Sequence, residues 1–137
     1  MEHAELSGSC LCGAVKYSIT GEVQRFYHCH CRRCRKATGT GHASNLLLTP
    51  ESSLTWLAGE DLLSHFKVPD AERFYNRFCS RCGSPVPRTV PELDGVLVPA
   101  GSLDCEPPIP PGGRIFWDSR VDWSCSDKEL PVYKEYP

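Results

Sequence analysis

The tightest constraint on what this chain can fold into is the segment Cys29-His30-Cys31-Arg32-Arg33-Cys34, which sets three thiols within six residues. Thiolates this close repel one another and free thiols this close oxidise readily, so a bound soft cation such as zinc is the natural way to hold them. Two further pairs stand far off in sequence, Cys10-x-Cys12 and Cys79-x-x-Cys82, while Cys105 and Cys125 are solitary. Because seven of the nine cysteines cluster, the clusters dictate which segments meet, and Cys105 and Cys125 receive no role.

The compartment decides between metal and disulfide. Met1-Glu2-His3-Ala4-Glu5-Leu6 is acidic and lacks the apolar core of a signal peptide, and no run approaches the ~18 apolar residues of a membrane span. A cytosolic, soluble protein is expected, and reducing conditions there favour metal binding over cystine. The 15 Lys and Arg residues are nearly balanced by 17 Asp and Glu, so no nucleic-acid or membrane partner is expected. At 137 residues the chain fits one domain, 1–137, with its core at about 8–123.

Residues 1–9 show no clear period and read as a tail. From 13 to 20, Val15, Tyr17 and Ile19 alternate with Lys16 and Ser18, the period of a half-buried strand, which Gly21 is expected to end. A second short strand follows at 26–29, then a knuckle and one short helix through Thr38, stopped by Gly39 and Gly41. Further strands are expected at 43–49, 54–57, 62–68, 73–78, 84–90 and 95–99, with a turn at Pro91-Glu92-Leu93-Asp94 between the last two. Turn signals every 8 to 12 residues or so mark a mainly β sandwich or barrel of short antiparallel strands. Gly83 suits the positive φ of a hairpin turn beside Cys82. The prolines between 106 and 113 make a stiff surface loop. Residues 114–117 return to an apolar segment with Trp123 packed below it, and Val132-Tyr133 offers a terminal edge.

Cys10, Cys12, Cys79 and Cys82 supply four thiolates, the closed set of a structural zinc. Cys29, Cys31 and Cys34 are one short of that set, and catalytic zinc typically keeps three protein ligands and an open fourth place. The alternative is a second closed site completed by His28, His30 or His42. Against it, His28 and His30 alternate with the cysteines along an extended segment and should point to the other face. Arg32, Arg33, Arg35 and Lys36 form either a solvated helix face or an attractor for an anionic ligand; Arg33 and Lys36 are the candidate substrate contacts.

Gly8-Ser9-Cys10-Leu11-Cys12-Gly13-Ala14-Val15, then the run from Cys29 through Gly39, then Phe78-Cys79-Ser80-Arg81-Cys82-Gly83, resemble the glutathione-dependent formaldehyde-activating enzyme family, the CENP-V/GFA domain. The resemblance implies a β-rich Mss4-like fold with two zinc ions per chain. By position it makes Cys10, Cys12, Cys79 and Cys82 the structural ligands and Cys29, Cys31 and Cys34 the catalytic ones. It also implies a carbon-sulfur lyase that condenses glutathione, or a similar thiol, with formaldehyde or another small aldehyde. Arg114 departs from the histidine that members often carry before the Ile-Phe pair. The competing expectation is a non-catalytic Mss4-like binding module for a protein partner, with both zincs structural.

Overall fold

Strand β2 (Lys16–Cys29) is 14 residues long and is paired along both edges. On one edge β1 (Glu2–Ser9) runs antiparallel from Glu2 opposite Val23 to Ser9 opposite Lys16, and β9 (Gly113–Ile115) lies parallel to Tyr27, His28 and Cys29. On the other edge β3 (Ala43–Leu48) pairs with residues 23–29, and β4 (Ser53–Ala58) continues the same line opposite residues 16–20. Beyond β3 come β8 (Gly95–Pro99) and β7 (Arg88–Val90), which complete a seven-stranded sheet. A separate hairpin joins β5 (Leu63–Lys67) to β6 (Tyr75–Cys79). The sheet curls into a half-barrel, and the one α-helix among the described residues, α1 (Arg32–Thr38), follows β2 directly. The structure is a computed structural model and describes residues 2–72, 74–90, 95–125 and 129–137.

The mainly β class, the single short helix and strands β3, β4, β5, β6 and β8 stand where the alternation and turn signals put them. Four expectations are corrected. Residues 1–9 are not a tail, because Ala4 and Leu6 point from β1 into the core at 8% and 3% exposure. Gly21 does not end a strand. A Cβ there would run into Ser52, so the glycine lets the β3–β4 connection cross against β2, which continues through a bulge between Val23 and Arg25 to Cys29. Val132 and Tyr133 lie exposed outside any strand. The strand expected at 84–90 shrinks to β7 with an isolated bridge between Phe78 and Pro85, and the turn at 91–94 lies outside the described residues.

The main core is the inner face of this sheet. Tyr17, Ile19, Leu46, Leu48 and Val98 are buried there to 1% exposure or less, each worth about 1.5–3 kcal/mol in removed apolar surface. A second cluster sets Val15 and Val86 against Cys10 and Cys79, and a third sets Ala43 against Cys29 and Cys34. Each small cluster therefore backs one group of thiols with apolar side chains.

Candidate metal and active site

The loop after β1 and the turn after β6 bring Cys10, Cys12, Cys79 and Cys82 together, with all four Sγ atoms within 4.8 Å of one another. Cys10 and Cys12 sulfurs lie 3.6 Å apart, and Cys12 and Cys79 sulfurs 3.9 Å. A tetrahedral ion holding sulfur at roughly 2.3 Å spaces the ligands about 3.8 Å apart, so the donor set fits zinc. Backbone N–H groups turn inward as well: Val15 donates to Cys10 Sγ at 3.3 Å and Arg81 to Cys79 Sγ at 3.4 Å. Such donors stabilise thiolates, and the Ser84 hydroxyl beside Cys82 holds that thiol down at about 5. Gly83, at φ 77°, makes the tight turn that the sequence predicts.

Cys29, Cys31 and Cys34 form the second group, again with sulfurs mutually within 4.8 Å and with Cys29 to Cys34 at 3.3 Å. Its local cause is the start of α1. Cys31 is the N-cap, its sulfur accepting the Cys34 N–H at 3.3 Å, while Gly39 at φ 72° closes the helix about two turns later. The three thiols shift one another's acidity in opposite directions. Cys31 is held down to about 2 by the adjoining Cys29 and Cys34 thiols, and Cys34 is pushed far up by Cys29 and Cys31. Cys29 is raised chiefly by Cys31. A divalent cation is what would let all three ionise together, so this donor set also fits a soft metal.

No histidine joins the three thiols among the described residues. His28 and His30 lie on the opposite face of β2's end, as the alternation predicts. His28 Nδ1 is 2.9 Å from Ser44 Oγ, and its ring stacks on His42 at 4.2 Å between centroids. Fully buried His30 accepts from Arg114 at Nε2, 3.1 Å away, and meets the edge of Trp117. Its backbone N–H donates to the Ile115 carbonyl at 2.9 Å, which pins β9 beside the knuckle. Burial first, then neighbouring imidazoles or Arg114, depresses the basicity of His28, His30 and His42. Trp117, not Trp123, is the indole packed here: Trp123 is 72% exposed.

The three-thiol group opens onto a cavity of about 1080 Å³ that Cys29, Cys31 and Cys34 all line. Arg33 also lines it, half-exposed and 3.9 Å from Asp70, too loose a pair to hold the guanidinium in place. Lys36 stands exposed on the last turn of α1 and is not among the residues lining this cavity. A smaller cavity of about 480 Å³, with Thr38, Thr40, His42 and Ser44 in its wall, shares Cys34, Asn45, Phe74 and Arg88 with the larger one.

Sequence reasoning missed Arg25, Arg88 and Phe116, which line the larger cavity. For Arg25 a signal existed: in an extended strand residues 25, 27 and 29 share one face, so Arg25 and Tyr27 had to lie on the face of Cys29. Arg88 arrives from β7 by tertiary pairing, packed over the rings of Phe74 and Tyr75 at 5.5 and 5.9 Å. Phe116 carries the one positive φ of a non-glycine residue among those described, 53° with ψ 44°. For a bulky residue that conformation costs on the order of 1–3 kcal/mol.

A family model and a curated relative point to the same family. The family model described as "Glutathione-dependent formaldehyde-activating enzyme" matches residues 5–119. A Halomonas elongata protein, named as a candidate glutathione-dependent formaldehyde-activating enzyme, is 30% identical over 123 residues, spanning 86% of this chain and 78% of that one. A crystal structure of a Rhodobacter sphaeroides protein superposes with a TM-score of 0.53 at 22% identity, covering 75% of this chain and 92% of the other. That likeness concerns the fold alone.

Proposed function

The chain belongs to the glutathione-dependent formaldehyde-activating enzyme family, and from that premise we propose that it is a carbon-sulfur lyase working at Cys29, Cys31 and Cys34. It joins glutathione, or a similar thiol, to formaldehyde or another small aldehyde. In the reaction a carbon-sulfur bond forms, the carbonyl π bond breaks, and the thiol proton ends on the carbonyl oxygen. No oxidant is needed, and the step is reversible. The observation that carries the reading is a difference in number and place: three thiols, one fewer than a closed set, face a large cavity together.

Zinc bound by Cys29, Cys31 and Cys34 would supply a Lewis acid with a place for a fourth, exchangeable ligand, and a second zinc on Cys10, Cys12, Cys79 and Cys82 would be structural. The chain's own groups do the positioning. Arg25, Arg33 and Arg88 lie along the cavity where the two carboxylates of glutathione can be paired, Arg giving bidentate contacts that Lys cannot. Lys36, one turn along the helix, adds only to the local positive field. The domain works in the cytoplasm, where glutathione is plentiful; no helix among the described residues is long and apolar enough to cross a membrane.

Glutathione and formaldehyde also combine unaided, so product formation is not a test. Magnetization-exchange NMR measures how fast free and adduct forms interconvert. The zinc-loaded wild type is expected to accelerate exchange and Cys31→Ser to abolish the acceleration. If wild type accelerates no small aldehyde, the lyase assignment fails and a zinc-stabilised binding module takes its place.

A further inference from the structure

Formaldehyde is a poor match for the walls of the larger cavity. Besides its arginines, the cavity presents Tyr27, Leu47, Phe74, Val90, Leu97 and Phe116, and a one-carbon aldehyde would leave that apolar surface wet. Phe116 stands out among these side chains. The residue is 64% exposed although it belongs to the cavity wall, and its backbone sits in the left-handed region that glycine favours. A phenylalanine kept there for packing would be buried, and one kept for the turn alone would be better replaced by glycine or asparagine. The turn is anchored on both sides: the Ile115 carbonyl accepts the His30 N–H between two of the thiols, and Trp117 packs against the His30 ring. The ring's position is thereby tied to the knuckle that carries Cys29 and Cys31.

We infer that Phe116 is a specificity-determining residue, its ring walling an apolar subsite beside the three thiols that takes the hydrocarbon body of a medium-chain aliphatic aldehyde. The inference rests on the lyase reading and names its substrate class. The cavity wall carries charged residues, Arg25, Arg33 and Arg88 with Asp70 and Glu72, beside the apolar ones: the arginines suit the carboxylates of the thiol substrate, and the apolar residues suit an uncharged chain. The chemistry balances as before, with the thiol sulfur bonded to the aldehyde carbon and the thiol proton moved to its oxygen.

The test compares exchange rates for glutathione with hexanal and with formaldehyde in the zinc-loaded protein. Wild type should accelerate hexanal at least as well as formaldehyde. Phe116→Gly should lower the hexanal-to-formaldehyde ratio by about tenfold, chiefly through KM, as loss of apolar pocket contacts does. Its melting temperature should stay near that of wild type, because glycine relieves the left-handed strain. Phe116→Tyr, which keeps the ring, should keep the ratio. Acceleration of formaldehyde but not hexanal, or an unchanged ratio in Phe116→Gly, overturns the inference and leaves the lyase reading standing. A Phe116→Gly protein that fails to fold makes the ring a packing element and overturns it too. If wild type accelerates neither aldehyde, both readings fall together.

Discussion

The four-thiol group draws its ligands from two turns 67 residues apart, whereas the three-thiol group takes all of its ligands from one six-residue knuckle. The first joins the β1–β2 loop to the end of β6 and is backed by Val15 and Val86. Metal bound there closes a long loop, so its binding energy, which can reach roughly 10 kcal/mol, becomes folding energy. The second closes almost no loop. Cys29 is held by β2 pairing and Cys31 by the helix cap, and its open side is a cavity. Equal chemistry in the ligands thus gives unequal consequences, because what a metal does for stability depends on how much chain it ties.

The sharpest way to break this comparison is to remove one ligand from each group. Cys79→Ser cuts the long-range tie and should cost on the order of 4 kcal/mol or more, seen as a collapse of the melting temperature or insoluble protein. Cys31→Ser should lose the zinc-dependent exchange activity while melting within a few degrees of wild type. Serine is a good N-cap, so the contact to the Cys34 N–H survives; Cys31→Ala should lose about 1 kcal/mol more. If the Cys31 variant is the less stable of the pair, the two roles are exchanged.

Metal removal offers a gentler version. About two zinc ions per chain are expected, one leaving first under a mild chelator with circular dichroism little changed. Simultaneous loss with unfolding would make both groups structural.

A smaller effect concerns the imidazoles behind the knuckle. His42 faces His28 and His30 from the β2 side and Arg114 from β9, and its folded-state basicity is depressed below the ordinary 6.5 by burial and Arg114. The unfolded chain therefore binds more protons below 6.5. This contribution is fully present above pH 6.5 and is lost as pH falls through the lower folded value. Melting temperature should drop on acidification from that point, and His42→Gln should flatten the drop. A profile identical to wild type would remove His42 from the account.

The smallest expected effect separates two neighbouring cations. Arg33→Ala should raise the KM for glutathione several-fold, about 1 kcal/mol, while Lys36→Ala should change it less than twofold at 0.15 M salt, where screening reaches about 8 Å. The reverse order would move the thiol's carboxylates out of the cavity and onto the outer face of α1.

The sequence by itself determined the two cysteine groups, the strand period around Val15, Tyr17 and Ile19, and the short capped helix. Each is local: cysteine spacing, two-residue alternation and glycine punctuation act within about ten residues, the range over which periodicity fixes which side chains share a face. It also placed His28 and His30 opposite the thiols, for the same reason. Tertiary structure decided what depended on partners far along the chain. Residues 2–9 became a strand because β2 offered a free edge to a segment whose only apolar signal is Ala4 and Leu6. Gly21 became a crossing point and not a stop because Ser52 passes against it. Arg88 and Phe116 reached the cavity through β7 and the turn after β9, whose positions follow from pairing with β8 and β2. Pairing across tens of residues is set by the summed burial and hydrogen bonding of the whole sheet, a quantity that no single window of the chain contains.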